Sequence, residues 1–554
     1  MYSNESVDTY FGIDLGTTNT VVSKGNVLYN GLIQSQIIQI MQVDENKCNT
    51  TEFILPSILY VDENGKEYVG KIAKEIKSKA SKKVLYNTKR YIGSDKCWKL
   101  GNKNYTSKDV AKQILKTCRE SMKRYNQGKD VDTVTITVPA SYNTDQIKDT
   151  KDAAKEIGFE NINLIPEPTS ALIDFINEQS NLIENQRQIN LNKKKRILIF
   201  DLGGGTCDTA IVDVIQNERK LEFTEVAIGR YDELGGIDFD NEVALFKLNE
   251  FLNTNNIKYE TLKNEEKEKM VRHLRLFAEK AKERISTDVE MNCYFGESFD
   301  HYIMDFYKHE PVHFSINKKE YDYIIEKFFK RSKLTNKRSD EYEQKNIVDP
   351  IINTLRDYKI EKDSIDYLFL TGGMTKYKVI QDKLKTILEL NEDQIINSTD
   401  PLSSVAKGAA IYNYYETIIN KVDEKIYEND KPRQKFELTR VLAEAIMIDV
   451  KEGLPTIIIN SNQEIPYEGK LEGVLKTTSP SGIEINLYAG IDQYDSKMRI
   501  QRKYKAYFKT PKRPGTAIDI NFSIDKDKYL TLIVDVDNEK IELKQEVDLK
   551  EETI

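Results

Sequence analysis

The sequence predicts an α/β domain built in two halves, followed by an all-β sandwich. Three observations carry that prediction. Strand and helix patterns alternate up to about residue 420, the order that builds sheets flanked by helices. An apolar run ending in Asp-Leu-Gly occurs twice, in "GIDLGTTNT" (12–20) and "IFDLGGGTCD" (199–208). Asp14 and Asp201 stand 187 positions apart, too far for a short solenoid repeat and suited to two halves of one domain. After residue 435 the texture becomes short period-two runs separated by Gly, Pro, Asn and Asp, the pattern of a sandwich.

The elements follow in order. Residues 10–15 are apolar and short and run into glycine and threonine, a strand closing in a tight hairpin. "DTVTITVPA" (132–140) alternates strictly and stops after Pro139, a second strand. "DQIKDTKDAAKEIGF" (145–159) has a helical pattern that closes at Gly158. "NLIPEPTSALIDFI" (163–176) places proline at a helix start, and residues 197–202 form the second Asp-bearing strand. "EEKEKMVRHLRLFAEKAKERIS" (265–286) is a long, charged amphipathic helix. "IDYLFLTGGMT" (365–375) is a buried strand entering two glycines, and "SVAKGAAIYNYY" (404–415) is a helix. "EKIYENDKPRQK" (424–435) is polar, holds a proline and reads as linker. "TIIIN", "GVLKTT", "IEINLYAG", "AIDINFSI" and "YLTLIVDVD" then read as sandwich strands. The expected division is 8–422 for the α/β domain, 423–440 for the linker and 441–550 for the sandwich.

Bulk composition excludes several classes. The chain has 554 residues, 39% hydrophobic and 31% charged, which predicts a soluble protein with a large core. A net charge of −8 without a basic face gives no footprint for nucleic acid. The run Lys193–Arg196 sits just before a strand and reads as a solvated turn. The five cysteines, Cys48, Cys97, Cys118, Cys207 and Cys293, are scattered, odd in number and without a CxxC, so reduced thiols and a cytoplasmic location are expected. No apolar stretch is long enough to cross a bilayer, and the N-terminus lacks the basic and apolar blocks of a signal peptide.

The repeated stretch carries the chemistry. Glycine lets a turn approach a ligand closely, and successive backbone N–H groups in such a turn converge on an anion. Two such turns facing each other can hold a polyphosphate from both sides. An aspartate ending each strand is placed for a hydrated Mg²⁺, which prefers oxygen ligands and retains waters. No GxxxxGK[ST] is present, so these are not Walker loops.

The two turns resemble the phosphate motifs of the actin, sugar-kinase and heat-shock-70 superfamily. Within it, "GIDLGTTNT", "VGKIAKE", "TKRYIG", "VTITVPASYN", "PEPTSAL", "FDLGGGTCD", "LGGIDFDNEV", "AEKAKERIS", "LTGGMT" and "VAKGAAIY" occur in the order of the heat-shock-70 (DnaK-type) chaperones. The likeness is strong over residues 10–420 and weaker through the β region, at "PTIIINSNQEIP" and "IDINFSIDKDKYLTLIV". It implies an actin-like (RNase H-like), two-lobed ATPase domain followed by a peptide-binding sandwich. It also implies ATP/ADP and Mg²⁺ as cofactors, with K⁺ a further ion to test.

By that resemblance, Thr17, Thr18, Gly203, Gly204 and Gly205 cradle the β- and γ-phosphates, and Thr206 bonds the γ-phosphate. Lys89 contacts the γ-phosphate and the attacking water. Glu167 and Asp201 orient water and the Mg²⁺ shell, which Asp14 completes. Glu279, Lys282 and Ser286, at i, i+3 and i+7 on one helix face, form an adenosine clamp. Gly372 and Gly373 back the nucleotide, and Lys376 stands where the family usually has an arginine that stacks better on a base. Weak alignment puts Ile448, Leu475, Ile483 and Ile485 at a peptide cleft, with plain sandwich core as the alternative. Implied partners are unfolded or extended peptide, a J-domain co-chaperone and a nucleotide exchange factor, for a monomer.

Some positions depart from the family pattern. Ile147 replaces an arginine eight residues after the switch proline Pro139, Asn163 replaces another, Pro166 replaces an asparagine, and Arg440 replaces a linker aspartate. "FELTRV" alternates, so the linker should dock as an edge strand. Coupling between the domains should therefore be weaker or differently wired. No stretch matches the family's helical lid, and an uncovered sandwich should exchange peptide faster. Competing readings are an ATP-timed docking module for one partner, a sugar-kinase-type enzyme and an actin-like filament-forming ATPase.

Overall fold

The computed structural model describes residues 9–27, 33–79, 81–217, 220–229, 233–291, 297–331, 345–419, 435–449, 454–495 and 498–552. The linker stretch 423–434 and Cys293 lie outside these residues.

Two sheets repeat one plan. In the first, Thr9–Leu15 turns back antiparallel onto Asn19–Val27, which pairs with Ile33–Ile37. On the other side of Thr9–Leu15 lie Thr133–Val138 and Asn161–Pro166, both parallel. In the second, Lys195–Leu202 turns back onto Cys207–Gln216 and then Lys220–Ile228. Tyr367–Thr371 and Ile395–Asn397 flank it in parallel. The Asp-bearing strand is thus the central strand of each half, with a hairpin on one side and crossover strands on the other. That arrangement sends both Asp-Leu-Gly turns to corresponding sheet ends, where open α/β sheets bind ligands.

Helices pin these sheets. Ser404–Tyr414 lies so close to the first sheet and to Glu167–Ser180 that a Cβ on Gly408 would fall 1.8 Å from the Ser170 carbonyl oxygen, and one on Gly12 2.4 Å from the Ala410 nitrogen. Alanine and glycine in "SVAKGAAIY" permit that approach. Thr144–Glu156 opens with a capping box, Asn143 accepting from Gln146 N and Gln146 from Asn143 N. Ile147 on this helix is fully buried in the first half's core.

The C-terminal region is two antiparallel sheets packed face to face around Ile448, Leu487, Ile520, Leu532 and Val534. It is docked on the α/β domain at several places. The linker strand Lys435–Val441 adds in parallel to Lys220–Ile228, as its alternation predicts. The turn after Ala517–Ile524 reaches the first half. Lys550–Glu552 pairs in parallel with Lys96–Leu100. Among the described residues, Cys48, Cys97, Cys118 and Cys207 are free thiols, and no helix is long and apolar enough to cross a membrane.

Candidate functional site

The two repeated turns meet. Gly203 N donates to Thr206 O at 3.0 Å, closing the second turn. A Cβ on Gly204 would sit 2.6 Å from Thr18 Oγ1, and one on Gly205 2.8 Å from Thr17 Cγ2. No side chain fits between them, so backbone from one half faces threonines from the other. Gly372, at φ +84°, closes in from the third strand end, where a Cβ would lie 2.3 Å from Asp201 Oδ1.

Beneath the turns is a group of like charges. Asp14 accepts from Thr137 Oγ1 at 3.2 Å. Loss of water and the nearby Glu167 push Asp14 up to about 7, against Lys89. Asp201 is raised well above the ordinary carboxylate range, first by burial and then by Glu167, Asp208 and Asp14. Lys89, in the short turn Thr88–Tyr91, donates to Glu167 Oε1 at 2.5 Å. Glu167 opens the helix Glu167–Ser180, where the helix dipole favours an anion.

Above this floor opens a cleft of about 1000 Å³ lined by Thr17, Thr18, Gly203, Gly204, Glu279, Lys282, Ser286, Gly373 and Lys376. The remaining predicted nucleotide and catalytic residues, Asp14, Lys89, Glu167, Asp201, Gly205, Thr206 and Gly372, are not part of that lining. Helix Asn264–Glu290 presents Glu279, Lys282 and Ser286 on its half-buried face, opposite the two turns. Lys282 donates to Asp240 Oδ2 at 2.7 Å and holds down an aspartate that burial pushes up to about 6. Lys376 is 4.0 Å from Asp400 Oδ1.

Other residues belong to the site that sequence reasoning left unassigned. Arg90 donates from Nη2 to Gly205 O at 2.7 Å and to Asp238 Oδ2 at 3.0 Å, tying the two halves together. Asp208 faces Asp201 across the hairpin and accepts from Ser141 Oγ at 3.1 Å. Arg90 lies in "TKRYIG" and Asp208 ends "FDLGGGTCD", so motif membership was the available signal.

The four candidate peptide residues lie in the sandwich. Ile448 and Ile485 are buried in its core, and Leu475 and Ile483 pack half-buried at its margin. Of the departing positions, Arg440 lies at the domain junction. Arg440 donates to Leu164 O at 3.1 Å and Lys526 O at 2.7 Å, with Asp527 Oδ1 at 3.6 Å. Lys151 reaches the same Asp527 at 2.7 Å. Arg502, from the sandwich, donates to both oxygens of Asp149 at 2.8 and 3.0 Å and to Asp95 Oδ1 at 2.7 Å.

A family model described as Hsp70 protein matches residues 10–553. Chaperone protein DnaK of Thermosipho africanus is 27% identical over 523 residues, spanning 93% of this chain and 76% of that protein. The DnaK of Thermotoga petrophila is 27% identical over 527 residues, 94% of this chain and 77% of its own. The dnaK protein of Cyanidium caldarium is 28% identical over 430 residues, 72% of this chain and 59% of its own.

Proposed function

The chain belongs to the Hsp70 protein family, and from that premise we propose that it is an ATP-dependent chaperone that hydrolyses ATP in the cleft and binds extended apolar peptide in the sandwich. The observation that carries the reading is the meeting of Thr17 and Thr18 with Gly204 and Gly205 above Asp14 and Asp201. Converging backbone N–H groups hold phosphates there, and threonine hydroxyls add donors. Glu279, Lys282 and Ser286 would grip the nucleoside end.

The donor set fits a hydrated divalent cation. Burial first, then neighbouring carboxylates, raise both Asp14 and Asp201, so a nearby dication would favour their charged forms. Mg²⁺ bound there would supply charge neutralisation on the phosphates. Catalysis by the chain's own residues is then positioning and charge stabilisation. Glu167, fixed by Lys89, would orient the attacking water and draw on its proton. Lys89 would meet the charge developing on the γ-phosphate, and Thr206 would add a hydrogen bond. Arg90 would keep the two turns in register.

Peptide in the sandwich and nucleotide in the cleft would be linked through the docked linker strand, each ligand shifting the docking equilibrium by its differential affinity. J-domain and exchange-factor partners belong to the same reading. The test is peptide affinity measured with ATP and with ADP, alongside phosphate release without added sugar. Equal affinities in the two nucleotides would contradict the coupled chaperone. Stimulation by only one peptide among unrelated extended ones would favour a dedicated docking module.

A further inference from the structure

We propose that Lys528, a sandwich residue, is the positioning group through which the docked sandwich sets the Ser141–Asp208 pair beneath the nucleotide turns. The inference rests on the ATPase reading above and concerns regulation of that site.

Lys528 lies in the turn between strands Ala517–Ile524 and Leu530–Val536 and crosses the domain junction to donate from Nζ to Ala140 O at 2.8 Å. The side chain is 2% exposed and its φ is +69°. A buried ammonium and a left-handed backbone are each unfavourable for lysine. Glycine would serve such a turn better, so the turn itself does not require this side chain. The turn is rigidly held. Asp525 Oδ1 accepts from Asp527 N and Tyr529 N, both at 2.8 Å, and Asp527 Oδ1 accepts from Leu164 N at 3.3 Å. The ammonium is thus aimed, not trailing.

Its target is one bond from the site. Ala140 stands between Pro139 and Ser141, and Ser141 Oγ donates to Asp208 at 3.1 Å. Asp208 is the cross-strand partner of Asp201, and its charge is among the causes that raise Asp201. Glu225, Arg440 and Asp208 face the ammonium. Burial pushes it down to about 8, Arg440 adding to that and Glu225 and Asp208 opposing it. Undocking the sandwich removes the hydrogen bond that fixes the Ala140 carbonyl, and with it the hold on the adjoining Ser141 that bonds Asp208.

The experiment is a double-mutant cycle in the full chain, with Lys528→Met, Ser141→Ala and both together, read by single-turnover ATP hydrolysis. Lys528→Met should change the hydrolysis rate about fivefold while ATP affinity stays within about twofold, and the two substitutions should be non-additive. Additive effects, or an unchanged rate in Lys528→Met, overturn the proposal. Lys528→Gly, which suits the left-handed backbone, must give the same result; if it does not, misfolding of the methionine variant explains the effect and the proposal falls. Amide exchange of residues 525–529 on addition of ATP is the measurement that does not need turnover. It should respond in the wild type and not in Ser141→Ala; equal responses also overturn the proposal. A wild type that binds ATP without hydrolysing it sinks the enzymatic reading instead, and the exchange result still decides the coupling.

Discussion

Lys89 Nζ lies 2.5 Å from Glu167 Oε1, and the two side chains are only 9% and 10% exposed. The pair sits beside Asp14 and Asp201, both raised chiefly by burial and by Glu167, with Lys89 opposing the rise at each and the Thr137 hydrogen bond opposing it at Asp14. Lys89 is therefore the local cation that makes a cluster of buried carboxylates tolerable. Lys89→Ala should cut single-turnover hydrolysis by about 10²-fold or more, the scale of losing one transition-state donor. Thr206→Ala should act on the same scale, with ATP affinity changed far less than rate in both. Unchanged turnover would remove these residues from the catalytic set.

The same cluster predicts a pH response. Asp14 is raised from 3.8 to about 7 in the folded chain. A carboxylate raised on folding stabilises the native state at low pH, and that contribution is lost as pH rises through the folded value. Asp145 and Asp174, each pushed up to about 7 first by burial, act in the same direction. The nucleotide-free protein should thus melt lower at about pH 8 than at about pH 6. Asp14→Asn should flatten that dependence, and magnesium nucleotide should stabilise the wild type more at the higher pH. Thermal melts across this range check it; a slope untouched by Asp14→Asn would refute the assignment.

The central hairpins and the linker strand were legible because their patterns are local. Alternation marks "FELTRV", and glycine after an apolar run marks a turn whatever surrounds it. The domain junction was not legible. Arg502 sits in "IQRKYK" and Lys528 in "DKDKY", both stretches dense in charge. Each is buried only because a second domain covers it, and charge patterning in one segment carries no trace of the distant carboxylate that pays for the burial. Arg440 was legible as a departure but not as a contact: its carboxylate partner, Asp527, comes from the sandwich.

Arg502 gives the sharpest test of that junction. Its side chain is 6% exposed and satisfies Asp149 and Asp95, while its backbone N donates to Asp145 at 2.8 Å. Removing one partner of such a network leaves buried charge uncompensated, at a cost of about 3–5 kcal/mol. Arg502→Ala should release the sandwich from the α/β domain. The chain's single tryptophan reports it: Trp98 is 8% exposed and pairs with Glu552 of the C-terminal strand. Its emission should shift to the red in Arg502→Ala. Lys503→Ala, which removes only a half-exposed pair with Glu484, should leave emission unchanged. Identical spectra for all three proteins would show that Arg502 does not hold the docked arrangement.

The linker strand has a different hold, and it predicts a different loss. Phe436 is 1% exposed and stacks on Tyr415 at 4.6 Å, with Phe223 at 5.4 Å and Tyr412 at 5.8 Å. The chain after it runs straight into Arg440 and the sandwich. Phe436→Ala empties that aromatic site, at about 3–5 kcal/mol. The backbone pairing of Lys435–Thr439 with Lys220–Thr224 is then left to hold an edge strand alone. The sandwich keeps its own core, so it should stay folded while the linker detaches. Hydrolysis should persist, but its response to added peptide should fall to near none if the proposed coupling needs this strand docked. Glu437→Ala, on the exposed side of the same strand, disturbs only an ion pair with Lys220 and should keep the response. Peptide-stimulated phosphate release in the three proteins decides the matter: full stimulation in Phe436→Ala would mean that the signal reaches the nucleotide by another route.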